Sequence, residues 1–312
     1  MRHASLVEAI GHTPLVELNH MSPNPDVRIF AKLEGQNPTG SVKDRIARHM
    51  IEQAEKSGHL TSAHTILEPT SGNTGISLAM VGRIKGYKVK VVLPDNVTEE
   101  RRSLLEAYGA EIIFSDGRGG TNGAIELAQD IVTKGEENYF MPYQYGNESN
   151  PDAHYETTGA EIIKDLPEVD TFIAGLGTGG TLMGVGKRLK EQNPDTRIIA
   201  IAPHPEEIIQ GLRSLEDGFV PPILDLNLLS GRQMVRSRES FYATKDLMEK
   251  EGIFAGISSG AVVSGAIKVA ENMDHGNIVA LLADGGWKYL STKLWTEDIE
   301  AITTQIGTKI WW

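Results

Sequence analysis

The stretch DTFIAGLGTGGTLMG, residues 170–184, runs from an apolar segment through a glycine-rich turn into a second apolar segment. This order is typical of a buried strand followed by a tight turn and the start of a helix. Unobstructed N–H groups at such a helix start can bind a phosphate group. We therefore expect an α/β unit here, with a phosphate-binding turn formed by Gly177, Thr178, Gly179, Gly180 and Thr181.

The spaced glycines of this turn do not by themselves identify the phosphate. Gly175, Gly177 and Gly180 match the G-x-G-x-x-G pattern of dinucleotide-binding turns. That interpretation requires an acidic residue at the end of the following strand, where it binds a ribose hydroxyl. The next predicted strand, RIIAIA, ends in Ala202 and carries no acid there. A nicotinamide-dependent oxidoreductase is therefore kept only as the weaker alternative.

Six more short segments have the composition of strands, and segments with helical spacing lie between most of them. A chain that alternates strands with helices forms parallel sheets that are covered on both faces. The polar, turn-rich segment 141–152 lies near mid-chain and suggests two α/β halves that meet there. The six segments are 28–33, 64–68, 88–93, 111–115, 197–202 and 277–283.

The composition excludes several classes of protein. The 312 residues include no cysteine, which excludes disulfides, thiolate nucleophiles and thiolate metal ligands. The nine histidines show no metal-binding spacing, so no metal site is predicted. A formal net charge of −12 disfavours nucleic-acid binding, and no apolar run approaches the roughly 20 residues of a membrane span. We expect a cytoplasmic protein with small-molecule substrates, no nucleic-acid partner and no membrane association.

A lysine lies in an unusual position in the turn EGQNPTGSVKDR, residues 34–45. Ser41 and Asp44 have the spacing of a capping box, which predicts a helix start here. Lys43 would then lie in the first helical turn, where the positive end of the helix dipole favours a neutral amine. A neutral amine can attack a carbonyl group and form a Schiff base. The alternative is an ordinary solvated lysine.

Side-chain donors are concentrated in the turn EPTSGNTG, residues 68–75. Thr70, Ser71, Asn73 and Thr74 follow a predicted strand and precede an apolar helix. Hydroxyl and amide groups beside exposed helix N–H groups can bind a small anion such as a carboxylate or a phosphate. Helix capping is the alternative, but it accounts for only one of the four residues.

A further turn, GISSGA at 256–261, matches the G-x-S-x-G pattern of the hydrolase nucleophile elbow. A serine hydrolase would need an acid and then a histidine placed separately downstream. The only histidine that follows is His275, directly after Asp274 and close to the turn. We therefore favour an interpretation in which Ser258 offers its hydroxyl group to an atom of a ligand.

Six motifs in this order resemble the fold-type II pyridoxal-phosphate enzymes, specifically the cysteine synthase (O-acetylserine sulfhydrylase) group. The resemblance implies a tryptophan synthase β-like α/β fold, with two parallel-sheet domains and the active site between them. It implies a larger cofactor-binding domain at 1–38 and 146–312, a smaller mobile substrate-binding domain at 39–145, and a homodimer. The motifs are GHTPLVEL (11–18), KLEGQNPTGSVKDR (32–45), EPTSGNTG (68–75), GLGTGGT (175–181), GISSGA (256–261) and ADGGWKYLS (283–291).

The resemblance also implies a role for each turn. Lys43 would be bound to pyridoxal 5'-phosphate as an internal aldimine and would later remove the substrate Cα proton. Asn73 would donate a hydrogen bond to the phenolic oxygen of the cofactor, and Ser258 would face its pyridine nitrogen. The glycine-rich turn would bind the cofactor phosphate. The substrate carboxylate would be bound by Thr70, Ser71, Thr74 and Gln144.

The implied reaction is β-replacement on an activated serine. The leaving group departs to give an aminoacrylate, and a sulfur nucleophile then adds at Cβ to give L-cysteine. Sulfide or a thiocarboxylated sulfur carrier protein would supply the sulfur. A cystathionine β-synthase-like enzyme is the alternative, because such enzymes share most of these motifs. The sequence departs from the family at Ala202, where relatives commonly carry an acid.

One segment resembles the branch of the family that uses O-phosphoserine, which we favour over O-acetylserine as the substrate. Arg213 lies in GLRSLEDGFVP, residues 211–221. The planar guanidinium group of an arginine can bind a substrate phosphate through two parallel hydrogen bonds. The alternative is a surface ion pair of Arg213 with Glu216 or Asp217.

The sequence ends in IGTKIWW, and two tryptophans beside a terminal carboxylate are unusual for a solvated tail. In the same branch the C-terminus can fold over the mouth of the active site. Trp311 and Trp312 would then form a lid that protects the reaction from water. The alternative is a tail docked on the core or on a second subunit.

Overall fold

The computed structural model describes residues 2–70, 72–135, 138–205, 207–216, 218–300 and 302. Within these residues the chain forms one sheet of six strands and one of four, with helices packed against both. The predicted α/β fold is therefore confirmed. The strands are, in chain order, β1 (Leu15–Glu17), β2 (Val27–Leu33), β3 (Thr65–Pro69), β4 (Lys88–Pro94), β5 (Glu111–Ser115), β6 (Tyr139–Phe140), β7 (Thr171–Gly175), β8 (Arg197–Pro203), β9 (Gly231–Val235) and β10 (Gly276–Leu282).

The six-stranded sheet has the order β1-β2-β10-β7-β8-β9. Its neighbouring strands are parallel, except that β1 runs antiparallel to β2. β2 pairs in parallel with β10, with Val27 opposite Gly276 and Leu33 opposite Leu282. The first long strand of the chain therefore lies beside its last described strand.

The four-stranded sheet has the order β5-β4-β3-β6, and all of its pairs are parallel. Its strands lie between Thr65 and Phe140. The strands of the six-stranded sheet lie before and after this part of the chain. The chain thus leaves the six-stranded sheet after β2, builds the smaller sheet, and returns.

Helices lie on both faces of both sheets. Consecutive residues of one strand belong to different hydrophobic clusters: Val279 and Ala280 of β10 do so, as do Ile66 and Leu67 of β3. Burial on both faces is expected for parallel sheets. The helices within the described residues are α1 (Lys43–Ser57), α2 (Asn73–Lys85), α3 (Glu99–Ala107), α4 (Gly120–Lys134), α5 (Ser149–Ala153), α6 (Ala160–Asp165), α7 (Gly180–Gln192), α8 (Ser237–Glu251) and α9 (Ile257–Ala270).

Short irregular helices complete the fold. A π-helical segment, His154–Gly159, joins α5 to α6. The 3-10 helices are Glu34–Gln36, Gly117–Gly119, Leu226–Leu228 and Gly286–Thr292. None of the described helices has the length and hydropathy that a membrane span requires.

The seven strands predicted from sequence are all confirmed, with ends that differ by one residue at most. Three strands were missed: β1, β6 and β9. β1 and β6 contain three and two residues, and segments this short show no alternation of apolar and polar residues that could identify them as strands. β9 lies at the edge of its sheet and reads GRQMV, with its first two residues exposed.

The predicted capping box at the start of α1 is wrong. The helix begins at Lys43, as expected, but its N-cap is Val42, without a side-chain hydrogen bond. The Asp44 carboxylate instead accepts hydrogen bonds from the Thr39 backbone N–H at 2.7 Å and from Ser77 Oγ at 2.6 Å. It therefore joins the preceding turn and α2 rather than capping its own helix.

Candidate active site

A cavity of about 220 Å³ lies between the two sheets, at the ends of β3, β7 and β10. A smaller pocket of about 40 Å³ shares Lys43 and Ser258 with it and extends to the glycine-rich turn. Ligands of open α/β sheets bind beyond the carboxyl ends of the strands, as here. The four turns that the sequence singled out converge on this space.

Lys43 lines both cavities from the first turn of α1. Its side chain is only partly exposed, so it is not the solvated lysine of the alternative interpretation. Burial lowers the pKa of the Lys43 amine, while the negative charges of Asp284 and Glu34 act in the opposite direction. The lowered pKa shifts the Lys43 amine toward the neutral form that a nucleophile or a base requires.

The glycine-rich turn joins β7 to α7 and presents the N-terminus of a 13-residue helix to the smaller pocket. Gly179 has φ 89°, which favours glycine, and a Cβ on Gly180 would collide with the Asn150 side chain. Asn150 Nδ2 donates to Thr178 Oγ1 at 3.0 Å, which holds the turn in place. Thr181 Oγ1 lies 3.2 Å from Nε2 of His154. The turn therefore forms a preorganised anion-binding site at the N-terminus of α7.

Ser258 lies in the first turn of α9 and lines both cavities. It is only 4% exposed, and its Oγ has no hydrogen-bond partner among the described residues. His275 is exposed and lies beyond the opposite end of α9, far from Ser258. The arrangement contradicts a hydrolase triad and leaves the Ser258 hydroxyl available to a ligand.

The second polar turn lies opposite, on the four-stranded sheet. Thr70, Thr74 and Gln144 line the cavity, and Thr74 Oγ1 donates to Gln144 Oε1 at 2.7 Å. The backbone N–H groups of Tyr143 and Gln144 donate to the buried Glu68 carboxylate at 2.7 and 2.9 Å. Glu68 thus holds the Gln144 segment beside the turn. Ser71 lies outside the described residues.

Asn73 lines the cavity from the first turn of α2. Its Nδ2 donates to Asp284 Oδ2 at 2.7 Å, and its Oδ1 accepts from Lys288 Nζ at 2.8 Å. Asp284 Oδ2 also accepts a hydrogen bond from the Tyr289 hydroxyl at 2.7 Å. Both ends of the Asn73 amide are therefore held by charged partners.

Arg213 lines the cavity and is 9% exposed. Its guanidinium carbon lies 5.3 Å from the Tyr145 ring centroid and 4.7 Å from that of Phe219. Its Nη1 donates to Asn122 Oδ1 at 3.1 Å, and it pairs with no carboxylate among the described residues.

The alternative interpretation of Arg213, a surface ion pair with Glu216, is not observed. Glu216 pairs with Arg232 at 2.9 Å instead. Asp217 lies outside the described residues, as do Trp311 and Trp312, so the lid stays a prediction.

Ala202 is the penultimate residue of β8, lies in the hydrophobic core and is fully buried. It does not line the cavity. No acid lies at this position to bind a ribose, which argues against the dinucleotide interpretation.

Sequence reasoning assigned no role to several buried side chains at this site. Arg101 and Tyr289 line the cavity, and Arg101 Nη2 donates to the Tyr289 hydroxyl at 3.2 Å. Asp284 and Lys288 complete the group. The segment ADGGWKYLS, residues 283–291, could have indicated Asp284, Lys288 and Tyr289, because its charged and aromatic residues directly follow a buried strand.

Comparisons with known proteins agree with this geometry. Residues 6–284 match the family described as "Pyridoxal-phosphate dependent enzyme". A cysteine synthase of Staphylococcus aureus is 41% identical over 304 residues, covering 94% of this chain and 97% of that protein. These matches set aside the nicotinamide-dependent alternative.

Two solved structures are similar over nearly the whole chain. A cysteine synthase of Entamoeba histolytica has a TM-score of 0.89 and 33% identity, covering 98% of this chain and 96% of that one. An O-acetylserine-dependent cystathionine β-synthase of Helicobacter pylori has a TM-score of 0.87 and 34% identity, covering 93% and 98%.

Proposed function

The chain belongs to the family of pyridoxal-phosphate dependent enzymes, and we propose that it acts as a cysteine synthase. The observation that carries the proposal is that one continuous site brings together the partly buried Lys43 amine, the glycine-rich turn and the Ser258 hydroxyl, which has no hydrogen-bond partner among the described residues. The reaction is β-replacement on an activated serine, with small-molecule substrates. The named activities of the S. aureus and E. histolytica relatives support it.

The residues of the cavity fit pyridoxal phosphate. Lys43 would hold its aldehyde group, residues 177–181 its phosphate, Ser258 its ring nitrogen and Asn73 its phenolic oxygen. When bound, the cofactor supplies an electron sink for the electrons left at Cα when a proton departs. Lys43 removes that proton, because its lowered pKa keeps the amine available as a base.

Substrate binding falls to the turn on the four-stranded sheet. Thr70, Ser71 and Thr74 would bind the substrate carboxylate, together with Gln144. The Thr74–Gln144 hydrogen bond already joins two of these groups. Such a clamp fixes the Cα–H bond toward Lys43, which lowers the entropy cost of the proton transfer.

A serine beside the ring nitrogen suits an elimination. A hydroxyl group is a much weaker acid than a carboxyl group, so Ser258 would leave the ring nitrogen largely unprotonated. The cofactor then withdraws electrons less strongly. Elimination of a good leaving group needs only brief stabilisation of the negative charge at Cα.

We propose O-phosphoserine as the favoured substrate and O-acetylserine as the alternative. Arg213 supports this choice because it lines the cavity, lies against the rings of Tyr145 and Phe219, and has no carboxylate partner among the described residues. A preorganised guanidinium group can bind a phosphate through two hydrogen bonds. The sulfur donor would be sulfide or a thiocarboxylated carrier protein.

We also propose the larger architecture that the family resemblance implies. Residues 39–145 would form a smaller, mobile substrate-binding domain, and 1–38 with 146–312 the cofactor-binding domain. The separate sheets support this division. The protein would act as a cytoplasmic homodimer.

An absorption spectrum and one variant test the function. Purified protein with pyridoxal phosphate should absorb visible light and form cysteine from an activated serine and sulfide. Lys43→Ala should lose about 10²–10⁴-fold in kcat, since the general base is removed. A colourless protein that binds no cofactor, or a fully active Lys43→Ala variant, would contradict the proposal.

Substrate choice is tested by kcat/KM for the two activated serines. Arg213→Ala should lower the value for O-phosphoserine about 10- to 100-fold, since a charge-assisted hydrogen bond is removed, and should barely change that for O-acetylserine. Arg232→Ala, which removes a nearby arginine already paired with Glu216, is the matched control. Equal losses for both substrates would refute the role of Arg213 and leave the family unaffected.

A cystathionine β-synthase-like activity remains the second candidate, supported by the likeness to the H. pylori enzyme. The two differ in the nucleophile rather than in the activated serine. Turnover with homocysteine and with sulfide should therefore be compared at the same serine concentration. A higher kcat/KM with homocysteine would favour the second candidate.

A further inference from the structure

A buried ammonium group holds one end of the Asn73 amide. Lys288 is 0% exposed, and its Nζ donates to Asn73 Oδ1 at 2.8 Å. At the other end, Asn73 Nδ2 donates to Asp284 Oδ2 at 2.7 Å. Lys288 lies on the 3-10 helix after β10, and Asn73 begins α2 beside the smaller sheet. The contact therefore joins the two halves of the cavity.

The charges of these partners set the orientation of the amide. An ammonium group can only donate hydrogen bonds and an ionised carboxylate can only accept them. A flipped amide would place its NH₂ group against Lys288 and its oxygen against Asp284. Both contacts would then be repulsive, so one orientation of Asn73 is selected.

In the selected orientation, one N–H of the Asn73 amide is not used by Asp284. The amide nitrogen carries two hydrogens, of which Asp284 takes one. The other is available to an acceptor in the cavity that Asn73 lines. We propose that Lys288 is a positioning residue that fixes the Asn73 amide so that this N–H meets the phenolic oxygen of the cofactor, an inference that rests on the proposed function.

The surroundings of Lys288 favour this role over simple packing. Burying an ammonium group is costly unless partners compensate for the lost water. Nζ has one hydrogen-bond acceptor among the described residues, the Asn73 oxygen. Asp284 is oriented in turn by the Tyr289 hydroxyl, and Tyr289 by Arg101. The contacts of Lys288, Asp284, Tyr289 and Arg101 therefore all serve to hold the Asn73 amide in place.

The test measures cofactor binding to the apoprotein, by titration with pyridoxal phosphate followed by absorbance and tryptophan fluorescence. Lys288→Met should weaken binding roughly tenfold or more, because a charged hydrogen bond to Asn73 is lost, and should shift the visible absorption band. Lys288→Arg, which keeps a charged donor, should restore most of the affinity. Lys293→Met, on an exposed lysine paired with Glu297, should change nothing.

A double-mutant cycle separates positioning from structural support. In an Asn73→Ala background, Lys288→Met should cause no further loss of cofactor affinity, because the amide that it positions is absent. An equal loss in both backgrounds would overturn the inference. Lys288→Gln, a neutral donor, replaces Lys288→Met if that variant does not fold, as judged by circular dichroism.

Failure of the inference and failure of the proposed function look different. If Lys288→Met binds the cofactor with unchanged affinity and spectrum, the inference is wrong while the enzyme assignment stands. If the unmodified protein binds no cofactor, the proposed function itself fails, and the inference with it.

Discussion

Burial acts in the same sense on Lys43 and Glu68: it favours the neutral form of each side chain. The pKa of the Lys43 amine is lowered, and burial raises the pKa of the Glu68 carboxyl to about 8. For Lys43 the neutral form serves as a base. For Glu68 the consequence is a dependence of stability on pH, because no cation among the described residues compensates its charge.

Glu68→Gln should change how the stability of the apoprotein depends on pH. Between about pH 4.5 and 8 the folded protein keeps a proton on Glu68 that the unfolded chain loses, so raising the pH destabilises the fold, by at most about 1.4 kcal/mol per pH unit. The free energy of unfolding of the unmodified protein should therefore fall relative to that of Glu68→Gln. Urea unfolding at pH 5, 6, 7 and 8 measures the difference.

The comparison with Glu68→Gln removes the pH dependence of other groups. Glu34 and Glu161, whose pKa values are lowered, are present in both proteins and cancel. Stability curves that run parallel over this pH range would show that Glu68 is ionised in the folded protein.

Sequence reasoning found Lys43 and missed Lys288 for a physical reason. Lys43 stands in the first turn of a helix, where a cation is locally unusual, so its neighbours reveal it. Lys288 contacts Asn73, 215 residues earlier in the chain, and nothing nearby in sequence indicates that contact. Arg213 was found, but its contacts with Asn122 and Tyr145 could not be, because those residues lie in two other segments, earlier in the chain.

The packing of α8 against α9 places Ser258 in the cavity. Ser258 lies in the first turn of α9, and Gly260, two residues later, faces α8. A Cβ on Gly260 would collide with the Thr244 hydroxyl and the Ser240 carbonyl. The two helices can approach this closely only because position 260 has no side chain.

Gly260→Ala should therefore push α9 away from α8. We expect a loss of about 1–3 kcal/mol in the free energy of unfolding, since the carbonyl cannot move as a side chain can. Cofactor affinity should fall as well, because Ser258 moves with the helix. Denaturant unfolding and pyridoxal phosphate titration measure the two effects.

Gly231→Ala is the matched control, because a Cβ there meets no atom within 4 Å. Its free energy of unfolding should change by less than about 0.5 kcal/mol. If Gly260→Ala were as stable as this control, the close approach of the two helices would not be a constraint on the sequence.

Strands and helix starts differed in how well local sequence predicted them. The long buried strands were found because burial on both faces produces continuous apolar runs. The capping box failed because Asp44 has stronger partners in Thr39 and Ser77, of which Ser77 lies 33 residues away. Competition between local and distant hydrogen-bond partners cannot be read from spacing alone.

The assembly of the two sheets could be inferred only in part. The polar segment near residues 141–152 indicated two halves, and the sheets do separate near there. Chain order alone could not show that β2 belongs to the later half, beside β10. That pairing brings Lys43, which follows β2, to the same cavity as Ser258, and only the family resemblance implied it.

A buried ionic group ties α1 to the six-stranded sheet and its helices. Arg45 Nε donates to Glu34 at 2.7 Å, and its terminal nitrogens donate to both Glu161 oxygens at 2.7 Å. Lys32 Nζ lies 2.8 Å from Glu161. Because Lys43 begins α1, this group also sets where the amine lies relative to β2.

Arg45→Met should destabilise the whole protein by about 3–5 kcal/mol at neutral pH, because it leaves the fully buried Glu34 carboxylate without its partner. Arg48→Met, on the same helix but half-exposed and paired with Glu52, should cost less than about 1 kcal/mol.

The loss of unfolding free energy caused by Arg45→Met should shrink as the pH falls from 7 toward 3. In the unmodified protein, the pKa of Glu161 is lowered to about 2, so the ionised Glu161 stabilises the fold at neutral pH and this stabilisation is lost in acid. In the variant, the unpaired Glu34 gains a proton as the pH falls, and its burial then costs less free energy. Denaturant unfolding of the apoproteins at these pH values measures the effect, and a loss that stayed constant with pH would show that Arg45 acts through packing rather than through its charge.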